Sequence, residues 1–300
     1  MKNFDVIIIG GSYAGLSAAM ALGRSLRNVL IIDNRQPCNA QTPHSHNFLT
    51  RDGEKPEILF SLGLKQVLEY PTIQFMEDEV IQVSNGYRGF EVVTQAESFM
   101  ASKLLFATGL KDILPDIPGF AESWGISVVH CPYCHGYEIR NTPTAVFAKG
   151  DMGFDFARFV QHWAHEVTLL TNGDSGLSEK QQETLNMSGI AVIDREIESL
   201  DQENGQVSAV LFKDDTSLKL NAIYARVPFV QKCDIPEQLG CVLTEQGLLM
   251  VDDFQKTNVP GLYAAGDCTS QLRSVANAVA AGNRVGAFIN HELISERYLA

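Results

Sequence analysis

The stretch Phe4-Asp5-Val6-Ile7-Ile8-Ile9-Gly10-Gly11-Ser12-Tyr13-Ala14-Gly15 decides the fold. Its apolar run has the length of a strand buried on both faces, the kind found in parallel sheets. The glycines follow at once, and a helical pattern follows them. A second apolar run, Val29-Leu30-Ile31-Ile32, ends at Asp33. Strand, turn, helix and strand make a βαβ unit whose crossover should be right-handed. A dinucleotide turn needs glycine where the backbone bends, where it approaches a pyrophosphate, and where helix packs on strand. Gly10 and Gly15 fill the first and third places, and Ser12 stands in the middle one. The helix N-terminus offers N–H groups and partial positive charge to phosphates. Asp33 sits where an acid takes the adenosine ribose hydroxyls and repels a 2′-phosphate.

The chain has 300 residues, enough for two domains. Its 36 acidic residues against 23 basic ones give a net charge of −13. That balance argues against nucleic acid or an anionic membrane as partner, since phosphate binding needs clustered Lys and Arg. A hydrophobic fraction of 45% supports a sizeable core. Six cysteines are too few for a disulfide-stapled secreted scaffold, so the composition reads as a soluble, cytoplasmic protein. The uncharged run Val6–Gly23 is accounted for by a buried strand, a glycine turn and a packed helix, without a targeting segment. No other stretch competes as a membrane span.

Strand patterns continue around Ile73 to Val83 and Phe90 to Thr94, and Lys103–Ala107 runs into Thr108-Gly109. Pro115 and Pro118 mark a crossing near residues 111–119. A second βαβ pattern starts at Thr144–Ala148, with a helix predicted from about Phe154 to His165 and a strand at Val167–Thr171. Further strands are predicted at Val207–Phe212 and Ala222–Val230, with a return crossing near residues 240–247. Gly261-Leu262-Tyr263-Ala264-Ala265-Gly266-Asp267 and a small-residue helix from Ser274 close the chain. The fold class is therefore α/β: two Rossmann-like (three-layer ββα) dinucleotide-binding domains, the second inserted into the first. Residues 1–112 and 244–300 form one domain, and residues 113–243 the other.

The second glycine turn, Ala148-Lys149-Gly150-Asp151-Met152-Gly153, lacks the first glycine. Asp151 can cap the helix and set a carboxylate where a pyrophosphate would bind. Thr171 and Asn172, after the next strand, supply neither an acid for ribose nor an arginine cluster for a 2′-phosphate. Cys131-Pro132-Tyr133-Cys134 carries the sharpest chemistry. Thiols at this spacing form a small reversible disulfide, and a CxxC beside a βαβ pattern reads as redox. No second pair at finger spacing supports zinc. His130 and His135 flank the pair, and His135, abutting Cys134, is placed to take or give the thiol proton. Cys38, Cys233, Cys241 and Cys268 are read as packing residues. His44-Ser45-His46-Asn47 suggests polar contact with a cofactor rather than a metal. Trp124 and Trp163 read as core or interface.

These motifs, in order, resemble the low-molecular-weight thioredoxin reductases and their relatives. The shared pieces are GGSYAG from Gly10, ATG at 107–109, CPYC before a second Rossmann unit, and NVPGLYAAGD ending at Asp267. The run Cys131 to Glu138, CPYCHGYE, resembles the branch that includes dithiol oxidases of the gliotoxin type. The resemblance implies FAD held by Gly10, Ser12, Ala14, Gly15 and Asp33, with contacts from Asn39, Gln41, Asn47, Val80, Thr108 and Gly109. It also implies Gly266 and Asp267 near the ribityl or pyrophosphate portion, and Arg273, Ser274, Val275 and Ala276 at the isoalloxazine ring. It makes Cys134 the flavin-proximal thiol, Cys131 the interchange thiol, and the protein a homodimer. Two departures stand out: His135 replaces the family's Asp after the CxxC, and the second turn departs from the nicotinamide pattern, which leaves NADPH or NADH in question.

Three readings follow. One is a flavin disulfide reductase, fed by NADPH or by a donor other than NADPH, acting on a thioredoxin-like protein or a small-molecule disulfide. Another runs the path in reverse, with a dithiol as donor and oxygen as acceptor. The third is a flavin-bound redox sensor.

Overall fold

The structure, a computed structural model, describes residues 1–86, 89–164 and 166–299. It divides into two compact units. Met1–Ala40, Asn47–Lys111 and Val230–Ala300 form the first, and Gln41–His46 with Asp112–Phe229 form the second.

The first unit begins with β1 (Lys2–Ile9), α1 (Tyr13–Arg24), β2 (Val29–Asp33) and α2 (Pro56–Val67). β3 (Ile73–Glu77), β4 (Val80–Gly86), β5 (Gly89–Thr94) and β6 (Ser98–Phe106) follow. The chain leaves over β7 (Leu110–Asp112). The second unit holds α3 (Phe120–Ser123), β8 (Val128–Val129), α4 (Pro132–His135), β9 (Thr144–Phe147), α5 (Gly150–Val160) and β10 (Val167–Leu170). It continues with α6 (Glu179–Met187), β11 (Ala191–Ile193), β12 (Ile197–Glu203), β13 (Gln206–Phe212), β14 (Ser217–Lys219) and β15 (Ala222–Ala225). The chain returns along β16 (Phe229–Gln231), and α7 (Ile235–Gln238), β17 (Leu262–Ala264) and α8 (Val275–Leu299) complete the first unit.

In the first sheet the order is β3-β2-β1-β6-β5-β4, with β17 also on β6. β1 lies parallel to both neighbours, so that Val6 faces Val29 and Lys103, and Ile9 faces Ile32 and Phe106. Side chains alternate across a strand, and here both faces are covered. Val6, Ile8 and Ile31 join a core with Ala18, Leu22, Val285 and Ile289, under α1 and α8. Ile7, Ile9, Leu30 and Ile32 join a second core with Phe90, Val92 and Leu249. Val6, Ile7 and Ile8 are fully buried. Each such side chain contributes about 2 kcal/mol of transfer free energy. The second unit repeats the theme: β11-β10-β9-β15-β8 form a parallel sheet, and β12-β13-β14 an antiparallel one.

Several expected boundaries move. The run Ile73 to Val83 is two strands, because the chain turns at Asp78, whose carboxylate accepts from the Glu79 N–H at 2.7 Å. Ala222–Val230 likewise divides into β15 and β16. The second βαβ helix starts at Gly150 rather than Phe154 and ends at Val160, and its expected end, His165, lies outside the described residues. The return to the first unit falls at Phe229/Val230 rather than near residues 240–247. Ile235, Cys241 and Leu249 are already buried with Ile7, Leu30 and Leu262 there. Among the described residues, no helix is long and apolar enough to cross a membrane.

Candidate active site

In an open α/β sheet the carboxyl ends of the strands carry the binding residues. On the first unit these ends bring Gly10, Asp33, Ala107–Gly109 and Gly266 to one edge. Gly10 takes φ +103°, and a Cβ there would lie 2.3 Å from the Ala107 carbonyl oxygen. A Cβ on Gly15 would lie 2.0 Å from the Gly10 carbonyl oxygen, so α1 presses directly on the turn. Ser12 occupies the N-cap of α1 without a side-chain capping bond. Asp33 is fixed by two backbone donors: the Gly11 N–H at 2.6 Å and the Arg35 N–H at 2.8 Å.

Thr108 Oγ1 is buried without a hydrogen-bond partner. A turn too tight for any Cβ, an anchored carboxylate and an orphaned buried hydroxyl are what a dinucleotide-shaped ligand would complete. Around the same edge, Gly266 approaches Ala14, and Asp267 Oδ2 lies 3.6 Å from Arg273 Nε. Ser274 Oγ accepts from the Asn277 N–H at 3.1 Å, which caps α8, where Val275 and Ala276 begin the helix. Asn39 is half-buried, and Asn47 donates its N–H to Asp52 Oδ1 within its own loop. Val80 packs against the core that holds Ile9 and Ile32. Gln41 groups with the second unit.

On the second unit, β8 delivers the chain to Cys131, the N-cap of α4, with Pro132 as its first residue. Cys131 and Cys134 are joined as a disulfide with Cα atoms 5.3 Å apart. The N–H groups of Cys134 and His135 both donate to the Cys131 carbonyl, at 3.1 and 3.2 Å. Gly136 closes the turn onto Pro132 at 2.7 Å, and a Cβ there would meet the Trp163 ring at 2.7 Å. Tyr133, between the cysteines, is 66% exposed and meets Trp163 edge-on at 5.5 Å. His130 stacks on Trp124.

Burial, seconded by the nearby His46, holds the His135 imidazole down at about 4. It is therefore neutral at neutral pH. His46 Nε2 lies 3.5 Å from Glu138 Oε1. Among the described residues, no His/Cys/Asp/Glu cluster could hold a metal.

The second turn is engaged with its own chain. The Gly150 N–H donates to the Ser175 carbonyl at 2.8 Å, and Gly176 lies against Gly150. Asp151 is not the cap: Lys149 holds that position, and Asp151 Oδ1 accepts from Gln181 Nε2 at 2.7 Å. Asn172 Oδ1 accepts from the Ile197 N–H, and Thr171 Oγ1 donates to the Gly173 carbonyl, each at 2.7 Å.

Of the four isolated cysteines, Cys241 and Cys268 are buried and Cys233 packs against the first unit's core. Burial raises the thiol of Cys268 to about 12. Cys38 departs from the packing expectation: it is exposed, because its loop runs on the surface, with Sγ 4.0 Å from Asp267 Oδ2. Sequence reasoning also missed the His46–Glu138 contact and the Ser175 carbonyl at Gly150. The unusual His44-Ser45-His46 run was the only sign of the former.

Residues 4–282 match the family described as pyridine nucleotide-disulphide oxidoreductase. The thioredoxin reductase tcpT of Claviceps purpurea is 31% identical over 304 residues, covering 97% of this chain and 95% of that protein. The crystal structure of a putative thioredoxin reductase, TrxB, from Bacillus anthracis is similar with a TM-score of 0.94 and 32% identity, over 98% of this chain and 99% of that one. An oxidoreductase from Agrobacterium tumefaciens is similar with a TM-score of 0.91 and 34% identity, over 98% and 99%. The chain thus belongs to the pyridine nucleotide-disulphide oxidoreductase family, as an oxidoreductase of the thioredoxin reductase-like kind with its two-domain dinucleotide-binding fold.

Proposed function

We propose that this enzyme moves electrons between FAD, held on the first unit, and the Cys131–Cys134 disulfide, and from that pair to a thioredoxin-like protein or a small-molecule disulfide. FAD would supply a two-electron donor and acceptor. Gly10, Ser12, Ala14, Gly15 and Asp33 would hold its adenosine and pyrophosphate, with Asn39, Asn47, Val80, Thr108 and Gly109 as further contacts; Gln41, expected among them, groups with the second unit. Gly266, Asp267, Arg273, Ser274, Val275 and Ala276 would hold the remainder. The fit rests on the Cβ-excluding turn and the partnerless Thr108 hydroxyl.

The chain's own chemistry is thiol exchange. The Cys131 thiolate attacks a substrate sulfur, and the mixed disulfide is resolved by Cys134. His135, neutral beside Cys134, carries the protons. The observation that carries the reading is the disulfide across a single helical turn, with His135 following Cys134 in the chain. Alkylation and mass spectrometry test it. One equivalent of dithiothreitol should make Cys131 and Cys134 reactive, and labelling confined to the other cysteines would overturn the assignment.

A specific contact favours a second reading, in which a dithiol feeds the enzyme and oxygen accepts the electrons. A nicotinamide dinucleotide needs the N–H groups that open its helix. Here the Gly150 amide is bonded to Ser175, and Gln181 holds a carboxylate beside it. Anaerobic titration with NADPH and then NADH separates the readings: bleaching of the flavin by either supports the reductase, and bleaching by dithiol alone supports the oxidase. A cytoplasmic homodimer accompanies both readings. Sedimentation at about twice the chain mass of 33.0 kDa checks the dimer.

A further inference from the structure

Three aromatic rings of the second unit gather at the redox turn. Tyr133 stands between Cys131 and Cys134, its ring 5.9 Å from Phe159 and 5.5 Å from Trp163. Phe159 and Trp163 meet edge-on at 5.3 Å, which closes a triangle. The chain builds it locally: after α5 the Trp163 N–H turns back onto the Val160 carbonyl at 2.9 Å, beside Phe159. Gly136, with no Cβ, leaves room for the Trp163 ring. The triangle is not core. Tyr133 stands well out into solvent, and Phe159 is 38% exposed where such rings are usually buried. Closing the disulfide needs the spacing of the cysteines and no ring between them.

We propose that Tyr133, backed by Phe159 and Trp163, determines specificity: it takes an apolar or aromatic side chain next to the reacting cysteine of a polypeptide partner. The inference rests on the redox roles proposed above for Cys131 and Cys134. A mixed disulfide holds its two Cα atoms within about 7 Å of each other. The residues flanking the partner's cysteine are thereby brought within a side chain's reach of the turn that carries Tyr133. Ring against ring or ring against methyl is favourable there, because both surfaces leave water.

The shape of the patch points to a polypeptide. A small ligand is held by a cleft that encloses it. Here the rings stand out from the surface, continuous with the disulfide that the substrate must reach, and suit a partner that brings a surface of its own. Aromatic side chains are also the residues that anchor protein interfaces.

The exchange itself is balanced by a dithiol partner. Its first thiolate attacks the Cys131 sulfur, a bond to Cys131 forms, the Cys131–Cys134 bond breaks, and the Cys134 sulfur takes a proton. The partner's second thiolate then displaces Cys131, leaving a partner disulfide and two thiols on the turn. Two electrons and two protons pass from the partner to the pair.

The test times anaerobic reduction of the disulfide in the flavin-loaded protein by two synthetic peptide dithiols. They share length and thiol spacing and carry Phe or Ser before the first cysteine. Thiols are trapped by alkylation at Cys131 and Cys134, and the Phe-to-Ser rate ratio is compared within each protein, so a change in the pair's own potential cancels. The wild type should favour the Phe peptide about tenfold at low peptide concentration, through KM rather than the limiting rate. Phe159→Ser and Tyr133→Ser should each bring the ratio to about twofold or less. Met187→Ser, at an exposed position on α6, should keep the wild-type ratio. A wild-type ratio near one, or a ratio that Phe159→Ser leaves unmoved, overturns the proposal. Benzenedimethanethiol against dithiothreitol probes the other source of an aromatic group: a preference seen there and absent with the peptides would assign the rings to a small molecule and overturn the polypeptide partner. Failure of the underlying redox reading shows separately, as no dithiol producing thiols at Cys131 and Cys134.

Discussion

The Gly11 N–H donates to Asp33 Oδ2 at 2.6 Å, which locks the end of β2 to the glycine turn after β1. A second backbone donor, the Arg35 N–H, holds Oδ1 at 2.8 Å. The carboxylate is therefore oriented before any ligand arrives. Asp33→Asn loses the charge and one of the two acceptors that hold the turn, and a hydrogen bond to a charged group contributes about 2 kcal/mol. We expect flavin to be held roughly 30-fold more weakly by the variant, read as the flavin Kd of reconstituted protein. An unchanged Kd would remove Asp33 from the binding residues.

The buried Lys103 ammonium, only 7% exposed, lies between Glu292 and Glu296 at 2.6 and 2.5 Å, and Lys256 also pairs with Glu292. This network ties β6 to the last turns of α8. Lys103→Ala removes two charge-assisted bonds but leaves Glu292 with Lys256 and Glu296 half-exposed, so it should cost about 2 kcal/mol in urea unfolding. Lys2→Ala, which breaks the exposed pair with Glu97, should cost under about 0.5 kcal/mol. The bonds from Lys103 and Lys256 hold the Glu292 carboxyl down at about 2 against the burial that opposes them. Its folded-state value lies below the unfolded one, so its stabilisation is complete above about 4.5 and is lost as pH falls toward 2. Lys103→Ala should flatten that part of the stability curve.

His135 gives a second pH window. Its folded value of about 4 lies below the ordinary 6.5, so between those pH values the unfolded chain binds a proton that the folded protein refuses. Stability should fall as pH drops from 6.5 to 4. His135→Gln should reduce that slope in denaturation curves taken across the window, and an equal slope would show the ring to be freely protonated.

The first unit was legible because its signals are local. Val6–Ile9, Gly10, Gly15 and Asp33 lie within one βαβ unit, and strand register carries them to a common edge. The CxxC was legible for the same reason: four residues suffice to close its disulfide. What escaped the sequence depends on tertiary approach. Asp151 looked like a cap, yet Gln181, one helix further on, takes its carboxylate. The Ser175 carbonyl reaches Gly150 only once the loop after β10 has folded back. The strand expected from Ile73 to Val83 breaks at Asp78, because the apolar pattern continues across a turn set by a side chain. Cys38 shows the limit of reasoning from residue type, since the thiol is exposed where cysteines are usually buried.

The most direct test of the account is anaerobic addition of a dithiol to the flavin-loaded protein and to its Cys134→Ser variant, followed by flavin absorbance. Electron flow through Cys131–Cys134 predicts stoichiometric bleaching in the wild type and none in the variant. Equal bleaching in both, or none in the wild type, would contradict the claim that this disulfide stands between substrate and flavin.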